Sequence, residues 1–67
     1  MQLREVKRIK ITFRNGAEKT IKGVFYPERR MIYELDDDGD TIAVYNFDDV
    51  FKLDFYQNGR MSIKLVG

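Results

Sequence analysis

Apolar and polar residues alternate along most of this 67-residue chain. Between Leu3 and Arg14, apolar side chains fall at odd positions such as Ile9 and Ile11, and basic or polar side chains fall at even positions. Successive side chains of a strand point to opposite faces, so a period of two is typical of a strand with one buried face. The first strand is therefore predicted to present a basic face to solvent.

The same alternation recurs farther along the chain. It predicts strands at 18–26, 31–35, 41–45, 50–56 and 61–66, with a single capped turn at 46–49. Gly23 inside the second strand predicts a bulge or a sharp bend, because glycine supplies no side chain to pack. Pro27 predicts a short connection after that strand, since proline donates no backbone hydrogen bond.

Three dipeptides separate several of these segments, namely Asn15-Gly16, Asp38-Gly39 and Asn58-Gly59. Asn-Gly and Asp-Gly are favoured where both central residues of a hairpin turn need positive φ. We therefore predict an all-β fold in which about six short strands form a small curled antiparallel sheet or barrel. At this length, residues 1–67 form one domain, and its core is near the lower size limit for independent stability.

Composition removes most of the chemistry that enzymes use. The chain has no cysteine and no histidine, so it lacks thiolates, disulfides and the imidazole that most often serves as base or metal ligand. We therefore expect no catalytic activity, no cofactor, no metal and no small-molecule substrate. The charged first residues do not resemble a signal peptide, and no apolar run is long enough to span a bilayer. We expect a cytoplasmic protein without a membrane partner.

Carboxylates alternate in one short segment, at Asp36, Asp38 and Asp40. Clustered oxygens suit calcium, but the helix-loop-helix calcium motif needs glycine at its sixth position and glutamate at its twelfth. Here Gly39 is fourth and Phe47 is twelfth. The segment is therefore predicted to be a solvated hairpin turn.

The net charge of +1 conceals a separation of charges along the chain. Residues 1–30 carry nine Lys or Arg against three Glu, whereas residues 31–54 carry one Lys against eight acidic residues. Such a separation favours either a basic face for an anionic partner or complementary edges that pair between subunits. Neutralisation between adjacent strands of one monomer is the simpler alternative.

A basic face would provide the cations that phosphate contacts require, next to aromatic rings on which bases stack. The candidate nucleic-acid contacts on this interpretation are Arg4, Arg8, Lys10, Arg14, Lys22, Arg29 and Arg30. The alternative is an ordinary solvated strand face.

Most of the nine aromatic residues fit inward positions of the alternation and are predicted to pack in the core. Four of them are candidates for an exposed patch that contacts a protein partner or a second subunit: Tyr26, Tyr45, Phe47 and Tyr56. The alternative is that turn aromatics fold back over the open end of a barrel.

Residues 8–56 resemble the Sm and Sm-like family, which includes the bacterial Hfq proteins and shares small SH3-like barrel architecture. The similar features are the apolar strand ending in Asn15-Gly16, the bent strand at Gly23, and the two segments 28–31 and 44–47. The resemblance implies a small barrel that forms rings by pairing of edge strands and binds RNA around the pore. Ile32 stands where the Sm pattern has a base-reading Asn, and Asn46-Phe47 stands where Hfq has Lys-His.

Taken together, these patterns predict a non-enzymatic interaction module. We expect a protein-binding or self-assembling accessory protein, and the small size indicates the kind that phages and mobile elements encode. The alternative is RNA binding through the basic face.

Overall fold

The computed structural model describes residues 5–56 and 59–65 and places six strands in one antiparallel sheet. The strands are Lys7–Phe13 (β1), Glu18–Tyr26 (β2), Met31–Leu35 (β3), Thr41–Asn46 (β4), Val50–Tyr56 (β5) and Arg60–Lys64 (β6). Two single 3₁₀ turns, Pro27–Arg29 and Phe47–Asp49, precede β3 and β5. The predicted all-β fold is confirmed, and the described residues contain no α-helix.

The strand order across the sheet is β4-β3-β2-β1-β5-β6. The first four strands form a meander, and β5 then returns to pair with the other side of β1, with Ile9 opposite Phe55 and Ile11 opposite Leu53. Among the described strands, β4 and β6 each have one neighbour. The predicted curled sheet is therefore open and not closed into a barrel.

One side of the sheet, here called the inner face, encloses the core. The buried core residues come from five elements and are Ile9, Ile11, Ile21, Ile32, Phe47, Val50, Leu53 and Phe55. Phe25 joins the second 3₁₀ turn to β5, because its ring lies 5.6 Å from that of Phe47 and 5.1 Å from that of Phe55. Since the core residues alternate with polar ones along β1, the opposite outer face is free for charged side chains.

Two of the predicted Asn/Asp-Gly turns are present, but positive φ is confined to their glycines and does not extend to Asn15 or Asp38. Gly16 and Gly39 have φ values of +92° and +88°, which a residue with a Cβ rarely adopts. Asn15 Oδ1 accepts a hydrogen bond from the Ala17 amide, and Asp36 Oδ1 accepts from the amides of residues 38 and 40. The solvated acidic turn therefore uses its first carboxylate to hold its own backbone. Residues 57 and 58 of the third predicted turn lie outside the described residues.

Gly23 does not cause the expected bulge. The register continues through it without a slip, with Gly23 opposite both Lys7 and Glu34. A Cβ at this position would lie 2.4 Å from the carbonyl oxygen of Tyr33, so the glycine permits close approach of β3. Register slips occur elsewhere, between β1 and β5 at Phe13 and between β3 and β4 at Leu35.

The predicted capped turn after β4 is confirmed. Asn46 Oδ1 accepts a hydrogen bond of 2.9 Å from the Asp48 amide, and this satisfies a donor at the start of the 3₁₀ turn. The cap directs Phe47 into the core, where the side chain is buried. The turn thus joins the edge strand β4 to β5, which pairs on both sides.

Candidate functional site

The outer face of four neighbouring strands carries a concentration of cations. Paired residues of antiparallel strands lie on the same side of a sheet, so Lys10 shares a face with Thr20 on β2 and Asp54 on β5. The alternation along each strand then places six cations on this face, which we call the basic face: Arg8, Lys10, Lys22, Lys52, Arg60 and Lys64. They come from β1, β2, β5 and β6.

Like charges stand directly opposite each other twice on the basic face. Arg8 faces Lys22 across β1 and β2, and Lys52 faces Lys64 across β5 and β6. Directly opposed like charges destabilise an antiparallel pair. Asp37 offsets this repulsion at Lys22 and Asp54 offsets it at Lys52, so an anion bound here would contact mainly Arg8 and Lys64.

Asp54 lies at the centre of the basic face and is 3% exposed. Ser62 donates a hydrogen bond from Oγ to Asp54 Oδ1, and Lys52 Nζ lies 3.8 Å from Oδ2. The Ser62 hydrogen bond holds the pKa of Asp54 below its usual range, with help from Lys52, Arg60 and Lys10 and against the effect of burial. The ionised carboxylate ties β6 to β5 and offsets part of the surrounding positive charge.

The other ion pairs of the basic face are exposed. Lys10 Nζ lies 3.3 Å from Glu18 Oε2, and Lys22 Nζ lies 3.0 Å from Asp37 Oδ1. Exposed pairs contribute about 0.2–1 kcal/mol at most, so they hold Lys10 and Lys22 only weakly. Within residues 5–56 and 59–65, no carboxylate lies within 4.0 Å of the cationic groups of Arg8, Arg60 or Lys64.

The predicted nucleic-acid residues lie in three separate places. Arg8, Lys10 and Lys22 are on the basic face, whereas Arg4 lies outside the described residues. Arg14 follows β1 and donates from Nε to the backbone oxygen of Asp48 at 2.9 Å.

The remaining two predicted arginines surround the first 3₁₀ turn. Arg30 adopts positive φ, lies over the Phe47 ring and donates to Asp48 Oδ1 at 3.0 Å. Arg29 lies over the Tyr26 ring, 5.2 Å from its centre, and donates to the Tyr33 hydroxyl at 3.5 Å. These arginines join turns and rings within the chain and are not among the six cations of the basic face.

Three members of the basic face were not predicted as site residues, namely Lys52, Arg60 and Lys64. Each belongs to a segment whose alternation is visible in the sequence. Their proximity to Arg8 and Lys10 depends on β5 returning to the side of β1, which is a pairing of residues some forty positions apart. Alternation within each strand reports which side chains share a face but not which strands are neighbours.

The four aromatic residues predicted to form an interface do not form one patch. Phe47 is buried in the core, and Tyr45 packs against that core with its ring 5.7 Å from Phe13. Tyr26 makes an edge-to-face contact with Tyr33. Tyr56 is 41% exposed and lies opposite Arg60 on the outer face, so it is the aromatic side chain closest to the basic face.

Tyr45 is part of a polar cluster that joins three strands. Its hydroxyl donates to Glu34 Oε1 at 2.7 Å and accepts from Lys19 Nζ at 2.9 Å, while Lys19 and Glu34 are 3.1 Å apart. The Tyr45 hydrogen bond holds the pKa of Glu34 below its usual value, and Lys19 adds to this effect against that of burial. The same contacts raise the pKa of Lys19.

The two edges of the sheet differ in charge. Strand β4 contains no charged residue and no proline, and its Ile42 and Val44 side chains are 59% and 51% exposed. Acidic residues flank it, with Asp40 before it and Asp48 and Asp49 after it. The opposite edge strand, β6, begins with Arg60 and ends with Lys64.

Comparison of the chain with protein-family models, with curated proteins and with solved structures finds no match. Where the structure describes the chain, no three side chains of the types that bind metals come together. No helix in that part of the chain has the length and apolar character needed to cross a membrane.

Proposed function

We propose that this protein is a non-enzymatic interaction module that assembles with copies of itself through the edges of its sheet. The observation that carries the proposal is the edge of β4 with which no second described strand pairs. A free edge presents a row of unpaired backbone donors and acceptors and pairs readily with another strand. The accessory role predicted from the sequence follows if this assembly presents a larger surface to a partner.

Strand β4 lacks the features that protect edges in most sheets. Lysine, proline and inward-pointing charges block pairing, and residues 41–46 contain none of them. The register slip near Leu35 and Thr41 affects only the first end of the strand. From Ala43 to Asn46 the pairing with β3 is regular, which leaves an extended edge of the kind that a further strand joins.

Charge selects β6 of the next copy as the strand that pairs with β4. Pairing of two β4 strands would bring their acidic flanks together, and pairing of two β6 strands would bring Arg60 and Lys64 against like charges. Pairing of β4 with β6 places acidic flanks next to basic ends in either strand direction. Such a head-to-tail contact leaves one free edge at each end and therefore continues into a ring or a filament.

Light scattering after size-exclusion chromatography tests the assembly. We expect a mass that is a multiple of 8.0 kDa and that decreases at high salt, because the flanking charges are exposed. A mass of one chain at every concentration and salt would show that the protein does not assemble.

Charge reversal tests which edges pair. The variant Arg60→Glu/Lys64→Glu makes β6 acidic, and the variant Asp40→Lys/Asp49→Lys makes the β4 flanks basic. Each variant should be monomeric, because both of its edges then carry charge of one sign. An equimolar mixture of the two should assemble into alternating copies, because both edges of one variant complement both edges of the other. If both variants keep the wild-type mass, head-to-tail pairing is wrong.

A further inference from the structure

We infer that the basic face binds single-stranded nucleic acid, with phosphates on its cations and a base stacked on Tyr56. This binding function goes beyond self-assembly and uses side chains instead of backbone edges. Assembly pairs the backbone of β4 with that of β6, whereas the basic face is formed by side chains on the outer face of β2, β1, β5 and β6. Assembly therefore places the acidic β4 flanks near Arg60 and Lys64 only, and it leaves the cations of β2, β1 and β5 accessible.

A row of four side chains crosses the strands of the basic face. Lys22 lies opposite Arg8, and Tyr56 lies opposite Arg60. Strands β1 and β5 are antiparallel and Ile9 pairs with Phe55, so one position farther along Arg8 lies opposite Tyr56. The row therefore runs from Lys22 through Arg8 and Tyr56 to Arg60. Neighbouring strands are about 4.8 Å apart, so the row spans roughly 14 Å, which accommodates a short stretch of extended nucleic-acid chain.

The opposed cations indicate a polyanion. Lys22 and Lys52 each have a carboxylate partner, whereas Arg8 and Lys64 have none within 4.0 Å among the described residues. Arg8 and Lys64 lie in different rows, so a single small anion cannot contact both. Asp54, the one buried carboxylate of this face, is already bound to Ser62 and surrounded by Lys52, Arg60 and Lys10. The remaining positive charge is exposed and extends over several strands, as a chain of phosphates requires.

Tyr56 distinguishes a nucleic acid from an acidic peptide. Its ring is exposed between Arg8 and Arg60, so a base stacked on it keeps its flanking phosphates near cations on both sides. An acidic peptide would use the cations without using the ring. A hollow of about 430 Å³ beside Arg8 and Lys22 adds space at the other end of the row.

The test measures fluorescence anisotropy of labelled oligouridylate and oligothymidylate of about 12 nucleotides, a length within the range of single-domain sites. Three or four phosphate contacts predict an affinity that falls roughly 20- to 50-fold between 50 and 200 mM salt. Binding of both probes identifies backbone recognition, and binding of the RNA alone identifies a contact to its 2′-hydroxyl. Absence of binding at 50 mM salt, or binding indifferent to salt, overturns the inference.

Variants locate the site. Arg8→Gln should decrease the slope of log affinity against log salt by about 0.7, the value expected for loss of one phosphate contact. Arg30→Gln removes the same charge beside Phe47, a residue of the core on the inner face, and should leave the slope unchanged. Glu18→Gln removes the carboxylate that pairs with Lys10 and should strengthen binding. If the slope decreases equally in the Arg8 and Arg30 variants, the positive charge acts without a specific site.

Tyr56 provides the second test. Tyr56→Ser should weaken binding roughly fivefold or more, and Tyr56→Phe should bind as the wild type does, because stacking needs the ring alone. Equal affinities of the Ser and Phe variants, or equally effective competition by polyglutamate, would overturn the nucleic-acid assignment. The variant Asp40→Lys/Asp49→Lys keeps every basic-face residue and should be monomeric. It should still bind the probes at low protein concentration, which would show that binding does not depend on self-assembly.

Discussion

At Gly23 the backbone of β3 leaves no room for a side chain. A Cβ would lie 2.4 Å from the Tyr33 carbonyl oxygen, and an atom of the sheet backbone cannot move away without loss of pairing. We expect Gly23→Ala to destabilise the protein by about 1–3 kcal/mol, the usual cost of overpacking. Urea unfolding measures this, with Thr20→Ala on the exposed surface of the same strand as control. A Gly23→Ala midpoint equal to that of the control would contradict the close approach.

Two carboxylates make stability depend on pH. The folded-state pKa values of Glu34 and Asp54 lie below their ordinary values of 4.5 and 3.8. The unfolded chain therefore binds protons first as the pH decreases, so this stability is present above the ordinary values and is lost as the pH falls through the lowered ones.

The pH dependence has a specific test at Tyr45. Tyr45→Phe removes the hydroxyl that donates to Glu34, so it should cost about 1 kcal/mol at neutral pH. The variant should also lose less stability than the wild type between about pH 5 and about pH 3, because Glu34 is then closer to its ordinary pKa. If the wild type and the variant lose equal amounts of stability over that range, the Tyr45 hydroxyl does not lower the pKa of Glu34.

At the scale of elements, β5 supplies much of the core and pairs on both sides. Leu53 is fully buried, whereas Phe51 on the same strand is 46% exposed at the register slip. We expect Leu53→Ala to cost about 2–5 kcal/mol and Phe51→Ala to cost much less, because only the first leaves a cavity. In a domain this small, Leu53→Ala should leave a large unfolded fraction by circular dichroism. Equal effects would place Phe51 in the core.

Most elements were predictable because their signals are local. Asn15-Gly16, Asp38-Gly39 and the Asn46 cap act over a few residues, and the bounds of β2 and β5 agree with the alternation. The open sheet and the place of Phe47 in the core depend on which strands are neighbours. The basic face was only partly predictable. Arg8, Lys10 and Lys22 lie on two consecutive strands that a short turn joins, so the sequence places them together. The contributions of Lys52, Arg60 and Lys64 depend on the long-range pairing of β1 with β5.

For the whole molecule, assembly and stability should be linked. A chain of this size has a thin margin, and pairing of β4 with β6 of another copy would stabilise the folded state by mass action. We expect the melting temperature of the wild type to increase with protein concentration. The Arg60→Glu/Lys64→Glu variant should melt at one temperature regardless of concentration. A concentration-independent melting temperature in the wild type would exclude assembly that stabilises the fold.

The return of β5 to the side of β1 also affects synthesis of the chain. Four strands leave the ribosome in order, each able to pair with the one before, but the second side of β1 has no partner until the segment near residue 50 follows. Until then the nascent meander has an additional open edge and an incomplete core, which lacks Val50, Leu53 and Phe55. Folding therefore ends with a long-range pairing step, which slows it relative to hairpin formation. A protein truncated before Val50 should therefore aggregate.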